Sequence, residues 1–446
     1  MLIKDWWPFR SKKAKQNLTS TVISSLEKVY TPVSQLVLGM YVVELDRPWL
    51  ETPFLFQGFE LKTKAEIQAI RELCQYVYVD MTRRKKRSKA MDADDSAKKE
   101  NYRRVILNNN SPPKKLGVFE KEIIRAEKTY ANTEALVADF MQRAAKGGSI
   151  DGWLAKQAVA ECVNSILQSP DAMLWLTQLK NKDQYTAQHS LNVCVLSIVL
   201  GRHLNLPEKN INILGLCGMM FDMGKMLVPL KILHKPGILE PEELLIMQSH
   251  TTLGYELLKS SDHMPPSVIE TALTHHERLD GKGYPRQLKS NGISDFAKMI
   301  AIVDAYDAIT SNRIHQKGRT HLEATHIITT MTSTHFDQNL VVKFIESLGV
   351  YPPGCLVVMT NQAIAIVVEV NEEIKLRPKV IIILDEDKNP VPEKVLDLSQ
   401  MVTDKRGEVY TIKNIVRPED WNIDSSKYYK EGVLQKGFAL AKKSGK

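Results

Sequence analysis

Cysteine is scarce in this sequence, and the few cysteines show no pairing pattern. The chain of 446 residues contains five of them, an odd number, and no Cys-x-x-Cys pair occurs. Secreted proteins that depend on disulfides usually carry many cysteines in even numbers, so that class is disfavoured. We expect the five thiols to be small buried side chains in a reducing compartment.

Long apolar runs are also missing. No stretch approaches the ~18–20 apolar residues that a membrane-spanning helix needs. The first residues, Met-Leu-Ile-Lys-Asp-Trp-Trp-Pro-Phe-Arg, lack the order of a signal peptide, in which charge precedes a long apolar core. Trp6, Trp7 and Phe9 lie beside basic residues and could touch a membrane surface, but we favour a tail or a packed anchor. We therefore expect a cytoplasmic protein without a transmembrane segment.

The bulk composition is that of a folded protein with a large core. Hydrophobic residues make up 43% and charged residues 25% of the sequence. A chain of this length is too long for one compact core, so we expect about two or three domains. The net charge of +8 favours anionic partners, which include phosphate ligands, nucleic acid and lipid head groups.

The pattern of apolar residues divides the chain into four segments. Residues 1–81 predict a small α+β domain, with a helix from Thr63 to Cys74 and an alternating strand at 76–80. Residues 82–117 have the composition of a flexible charged linker. Residues 118–346 repeat apolar side chains every three or four positions, as helices do. Residues 347–446 contain strand-like runs at 355–359, 363–370 and 380–384, which predict a β-rich extension and tail.

The predicted fold class is therefore mainly α, with a small α+β domain before the helices and a small β-rich extension after them. The linker contains a basic run at 83–87. A basic run can bind nucleic acid, but this one has no interleaved aromatic residues and no recognisable nucleic-acid fold around it. We do not expect nucleic acid as a partner.

Histidine is concentrated in one part of the chain. All eleven histidines fall between His189 and His335, which is about a third of the sequence. Imidazole is the commonest metal ligand and the usual proton carrier near neutral pH. An imidazole or carboxylate on a buried helix face costs free energy unless it is paired or coordinated. Four histidines and several carboxylates lie in apolar, helix-like stretches, which indicates a site for one or two divalent metals.

The spacing of these residues sets further expectations. His275 and His276 would point about 100° apart on a helix, so both reach one metal only near a helix end. Gly281, Gly283 and Pro285 follow closely and predict that end. Asp304 and Asp307 lie three residues apart and would share one helix face.

These motifs together resemble a known family. The segment 275–285 reads His-His-Glu-Arg-Leu-Asp-Gly-Lys-Gly-Tyr-Pro, and it follows Tyr185-Thr-Ala-Gln-His189, Asp222-Met-Gly-Lys225 and His250. Asp304-Ala-Tyr-Asp307 and Arg313 close the set. Residues 175–320 resemble the HD-GYP family of cyclic di-GMP phosphodiesterases. Residues 36–80 are similar to a domain often found ahead of HD-GYP domains, and the strands after 351 are similar to a β extension that often follows them.

The resemblance implies a helical HD fold that hydrolyses cyclic di-GMP to pGpG, to GMP or to both. It implies iron or manganese as the divalent metal, with one or two ions per chain. Diguanylate cyclases or other signalling proteins are the protein partners that it suggests. Asp222, bridging two metals, and Lys225 would be catalytic. The metal ligands would be His189, Asp222, His250, His275, His276 and Asp304, and the substrate contacts would be Lys225, Tyr284, Asp307 and Arg313.

The sequence departs from the family pattern at position 221. The family's His-Asp pair is Phe221-Asp222 here, and a phenyl ring has no lone pair for a metal. Tyr185 stands where a three-metal member would have a glutamate, so we expect two metals at most. Two alternatives stay open: a degenerate domain that binds cyclic di-GMP or a partner protein without turnover, and an HD-fold hydrolase of other nucleotides.

Overall fold

The computed structural model describes residues 28–46, 59–61, 64–80, 119–178, 185–312, 317–371, 373–404, 406–421 and 423. These residues fall into two compact units, one ending at Asp80 and the other starting at Phe119. The predicted linker, the aromatic residues near the amino terminus and Arg313 lie outside the described residues.

The amino-terminal unit is a four-stranded antiparallel sheet with one helix. From one edge to the other, the strands of this sheet are residues 28–32, 76–80, 41–45 and 59–60. The helix buries Ile67 and Ile70 against Val42 and Val77 of the sheet. The predicted helix and the predicted strand at 76–80 are confirmed. The elements are β1 (Lys28–Pro32), β2 (Tyr41–Leu45), β3 (Phe59–Glu60), α1 (Lys64–Leu73) and β4 (Tyr76–Asp80).

The second unit begins with a layered set of helices. Its first helix buries one face, which includes Ile123, Tyr130, Val137 and Phe140, because these side chains recur at helical spacing. That face packs against the three helices that follow it. The helices are α2 (Phe119–Ala145), α3 (Gly152–Gln168), α4 (Pro170–Thr177), α5 (Tyr185–His203), α6 (Glu208–Met220), α7 (Leu230–Leu233), α8 (Pro241–Gln248), α9 (His250–Lys259), α10 (Pro266–Thr274), α11 (Asp295–Thr310), α12 (His321–Thr330) and α13 (Gln338–Leu348).

A five-stranded antiparallel sheet follows the helices, and from one edge to the other its strands are residues 390–397, 379–384, 364–369, 356–359 and 412–416. Its three apolar strands confirm the predicted runs. Two further strands were not predicted, because the strand at 390–397 carries two prolines and the strand at 412–416 contains the adjacent polar residues Lys413 and Asn414. The sheet joins the helices through Asp171, whose carboxylate accepts a hydrogen bond from Val370 N at 3.1 Å. The strands are β5 (Leu356–Met359), β6 (Ile364–Glu369), β7 (Lys379–Leu384), β8 (Pro390–Asp397) and β9 (Ile412–Val416).

The five cysteines behave as predicted from the sequence. Each is buried and none forms a disulfide. Burial raises the pKa of the Cys217 thiol to about 12, so it is protonated at neutral pH. Within the part of the chain that the structure describes, no helix combines the length and the apolar character that a membrane crossing requires.

Candidate metal centre

His189 is held between two carboxylates of a neighbouring helix. It lies on α5, and both aspartates lie on one face of α11, as the spacing predicts. His189 Nε2 is 3.0 Å from Asp304 Oδ1, and His189 Nδ1 is 2.8 Å from Asp307 Oδ2. All three side chains are buried. The imidazole ring is therefore fixed in orientation from both ends.

Asp222 occupies the middle of the histidine cluster. Asp222 comes two residues after the end of α6, and its side chain is 1% exposed. Asp222 Oδ1 is 3.4 Å from His250 Nε2 and 3.7 Å from His275 Nε2, while Oδ2 is 3.9 Å from His189 Nε2. Asp222 Oδ1 is buried, and no group among the described residues donates a hydrogen bond to it. One carboxylate thus faces imidazoles on two sides.

The remaining histidines come from two helix ends. His250 begins α9, and its Nδ1 is 2.7 Å from Met247 O, which turns Nε2 toward Asp222. His275 directly follows the last residue of α10, with Nδ1 2.9 Å from Ala272 O. The ring of His276 lies 4.1 Å from that of His275 and 5.0 Å from that of His250. The prediction that the paired histidines stand at a helix end is confirmed.

Gly224 allows the Asp222 turn to approach α9. Residues Met223–Leu227 form a 3-10 turn against the start of that helix. A Cβ atom at position 224 would lie 2.0 Å from His250 O and 2.4 Å from Gly254 N. Real atoms do not approach so closely, and the obstacles are backbone rather than flexible side chains. Only glycine therefore permits the packing that brings Asp222 to His250.

We expect Gly224→Ala to separate the turn from α9, which should weaken metal binding and destabilise the protein by about 1–3 kcal/mol or more. Gly292→Ala is the matched control, because its nearest neighbour would be Leu288 Cβ at 3.5 Å, an ordinary contact. Chemical denaturation and calorimetric titration with Mn²⁺ measure both effects. Equal behaviour of the two variants would contradict the close packing at Gly224.

The loop after His276 folds back on itself. A Cβ atom at Gly283 would lie 2.5 Å from His276 O, so the loop returns to its own beginning. Glu277 is buried and accepts backbone hydrogen bonds from Arg286 N at 2.6 Å and Leu288 N at 2.8 Å. The ring of Tyr284 stacks on His276 at 4.8 Å. Glu277 therefore braces the loop, a role that the motif alone did not reveal.

Burial sets the protonation of the three imidazoles of His250, His275 and His276. It lowers the pKa of His250 to about 3, and it also lowers the pKa values of His275 and His276. These three rings are neutral at pH 7, which is the form that offers a lone pair to a metal. Burial alone would raise the pKa of Asp222, but the positive charge of the neighbouring Lys225 opposes it, and that pKa lies below its usual range.

The donor atoms form two groups that share Asp222. We call His189, Asp222 and Asp304 the first donor group, and Asp222, His250, His275 and His276 the second donor group. Within each group the ligand atoms lie within 4.8 Å of one another, and all of these residues are buried. Imidazole and carboxylate donors together suit iron, manganese and zinc. The buried Asp222 Oδ1 without a hydrogen bond fits a metal ligand.

Family models match most of the described chain. A model described as HD domain matches residues 171–340, and one described as KOW domain associated with HD domain matches residues 356–404. A domain of unknown function, DUF3391, matches residues 29–152, a range that includes most of the amino-terminal unit and all of α2.

One relative matches over most of this chain. Cyclic di-GMP phosphodiesterase PA4108 of Pseudomonas aeruginosa is 35% identical over 396 residues, covering 88% of this chain and 93% of the relative. The chain belongs to the HD-GYP family. A 3'3'-cGAMP-specific phosphodiesterase 1 of Vibrio cholerae is 41% identical over 143 residues, 32% of this chain and 33% of the relative. Bd1817, a solved HDG"Y"P protein from Bdellovibrio bacteriovorus, is 17% identical and covers 71% of this chain and 98% of that one, with a TM-score of 0.42.

The HD-GYP substrate residues inferred from the motif lie in different places. Lys225 lies beside the two donor groups and forms an ion pair with Asp222. Tyr284 is half-buried beside His276. Asp307 is 2% exposed, and its oxygens contact His189, Asn192 and Ser311. The contact of Asp307 with the dinucleotide stays a prediction; in this structure one of its carboxylate oxygens lies 2.8 Å from His189 Nδ1.

Phe221 marks the departure from the HD-GYP pattern in the structure as well. Its side chain is fully buried. The ring makes edge contacts with His189 at 5.8 Å and His275 at 5.0 Å between ring centres. It therefore lies beside both donor groups without contributing a donor atom.

Proposed function

We propose that this chain is a metal-dependent phosphodiesterase that hydrolyses cyclic di-GMP to pGpG, to GMP or to both. The observation that carries the proposal is the Asp222 carboxylate, which lies between the two donor groups and next to Lys225. A carboxylate in this position can serve two metals, and a paired metal centre suits phosphodiester hydrolysis. The relative that matches nearly the whole chain is named for this reaction.

The metals that we propose are iron or manganese. The first donor group offers one imidazole and two carboxylates, and the second offers three imidazoles and one carboxylate. Divalent metals held there would activate water and stabilise the charge that develops on the phosphate oxygens. The second group has the more complete set of protein ligands, so we propose that it holds its ion more tightly.

The chain's own residues supply binding and orientation. Lys225 is 15% exposed at the centre, where its ammonium can neutralise charge on a phosphate that approaches Asp222. Tyr284 presents a ring beside the imidazoles, where it can contact a nucleotide base. Asp307 orients His189 through Nδ1, an arrangement that directs Nε2 toward a metal.

The proposed activity is tested by incubating the full chain, purified anaerobically, with Mn²⁺ or Fe²⁺ and a cyclic dinucleotide. We expect hydrolysis of cyclic di-GMP that stops when a chelator is added, with pGpG and GMP resolved by chromatography. 3'3'-cGAMP is the informative second substrate, because the chain is similar to relatives specific for it. Binding of cyclic di-GMP without turnover at saturating metal would instead identify a degenerate binding module.

A further inference from the structure

A buried chain of hydrogen bonds runs from α2 to His189. The Tyr130 hydroxyl donates to Asn192 Oδ1 at 2.7 Å, and Asn192 Nδ2 donates to Asp307 Oδ1 at 3.1 Å. The other oxygen of Asp307 is 2.8 Å from His189 Nδ1. All four side chains are buried. The tyrosine is thus the far end of a polar network that ends on a proposed metal ligand.

The order of donors and acceptors along this series of hydrogen bonds has a chemical consequence. The Asp307 carboxylate can only accept, so it holds Nδ2 of Asn192 toward itself and leaves Oδ1 of the amide for the Tyr130 hydroxyl. Asn192 donates to Oδ1 of Asp307, and Oδ2 of the same carboxylate faces His189 Nδ1 at 2.8 Å and accepts from Ser311 Oγ at 3.2 Å. If the amide turned around, two oxygens would face each other in a buried site, which is unfavourable. Tyr130 therefore satisfies the buried amide oxygen of Asn192, which without it would have no donor from this hydroxyl to hold the amide in place.

The position of Tyr130 in the chain is informative as well. It lies on α2, which falls within residues 29–152 matched by the model of the amino-terminal domain. By packing, however, α2 belongs to the helical unit, where Tyr130 contacts Asn192 on α5 and is also hydrogen-bonded to Gln188. The family model that matches the amino-terminal residues therefore extends over α2. Through Tyr130, this helix contacts the hydrogen-bond network that ends on His189 of the first donor group.

We propose that Tyr130 is a positioning residue for His189, through which α2 sets the metal affinity of the first donor group. The inference rests on the proposed function only in that the donor group holds a metal. Substitution of a residue that hydrogen-bonds to a metal-ligating histidine commonly lowers metal affinity or activity by about 10–100-fold. Tyr130 acts through two intermediates, so we expect Tyr130→Phe to weaken one Mn²⁺ site by about 3–10-fold.

The test is calorimetric titration of Mn²⁺ into the metal-free full chain, with no substrate present. Tyr306→Phe is the matched control, since Tyr306 is also buried and its hydroxyl makes a 2.9 Å hydrogen bond, but to His321, outside the donor groups. Tyr130→Phe should weaken one site while Tyr306→Phe leaves both unchanged. Equal metal affinities for wild type and both variants would overturn the inference, as would equal losses in the two variants.

A second variant tests whether Tyr130 acts on His189 through Asn192. Asn192→Leu has a similar volume and removes the intermediate link, so adding Tyr130→Phe to it should cause no further loss of affinity. Additive losses would overturn the proposed route. A wild-type chain that binds Mn²⁺ without hydrolysing cyclic di-GMP would refute the proposed function and still let these affinities decide the role of Tyr130.

Discussion

Asp222→Asn should abolish both metal binding and hydrolysis of cyclic di-GMP. The carboxylate is common to both donor groups, and its Oδ1 is 3.4 Å from His250 Nε2 and 3.7 Å from His275 Nε2. An amide has the same shape but lacks the negative charge that both metals require. We expect a loss of activity of at least about 1000-fold, because removal of indirect contacts already costs about 10–100-fold.

The asparagine variant is expected to fold, since the volume of the buried side chain is retained. Asp295→Asn is the matched control, because Asp295 lies in the first turn of α11, the helix that carries Asp304, and its side chain is about half-exposed. Elemental analysis and product chromatography should show a full loss for Asp222→Asn and wild-type values for the control. Near-normal turnover by Asp222→Asn would exclude this metal centre as the catalyst.

Phe221→His should strengthen the first donor group and raise activity at low metal concentration. The ring of Phe221 lies 5.8 Å from that of His189 and 5.0 Å from that of His275, so an imidazole of similar size would stand between the two donor groups. It would add a donor where only one imidazole and two carboxylates are present. We expect metal affinity and low-metal turnover to rise by about 10-fold or more, equivalent to about 1.4 kcal/mol.

Metal dependence distinguishes this effect from a general change in packing. Excess Mn²⁺ should shrink the difference between variant and wild type, because mass action fills a weaker site. Phe221→Leu is the control, since it removes the ring without adding a donor and should not tighten the site. If wild type and Phe221→His were equally active at every metal concentration, position 221 would not be a ligand position.

Local spacing was sufficient to predict several features of the site. The glycines after His276 predicted that the histidine pair ends a helix, because a tight turn requires them. The three-residue spacing of Asp304 and Asp307 predicted a shared face of α11. Both predictions depend on neighbours in the chain, for which helix geometry is enough.

Features that depend on contacts across the chain could not be predicted in this way. The sequence pattern of Asp307 did not indicate that its carboxylate lies 2.8 Å from His189, a residue of another helix. Nothing in the sequence indicated a role for Tyr130 near the metal ligands, because its position on the apolar face of α2 is typical of a core residue. The strands β8 and β9 were missed because their proline and polar residues resemble those of loops.

The sharing of Asp222 also has a consequence for the charge of the ligand. The two donor groups contain four neutral or neutralisable imidazoles and only two carboxylates, Asp222 and Asp304. Two divalent ions would bring four positive charges and the ammonium of Lys225 a fifth, while the carboxylate of Asp307 beside His189 adds a third negative charge, so two positive charges would remain. A cyclic dinucleotide carries one negative charge on each of its two phosphodiesters. The centre is therefore electrically complementary to a doubly anionic ligand, which disfavours neutral nucleosides by electrostatics alone.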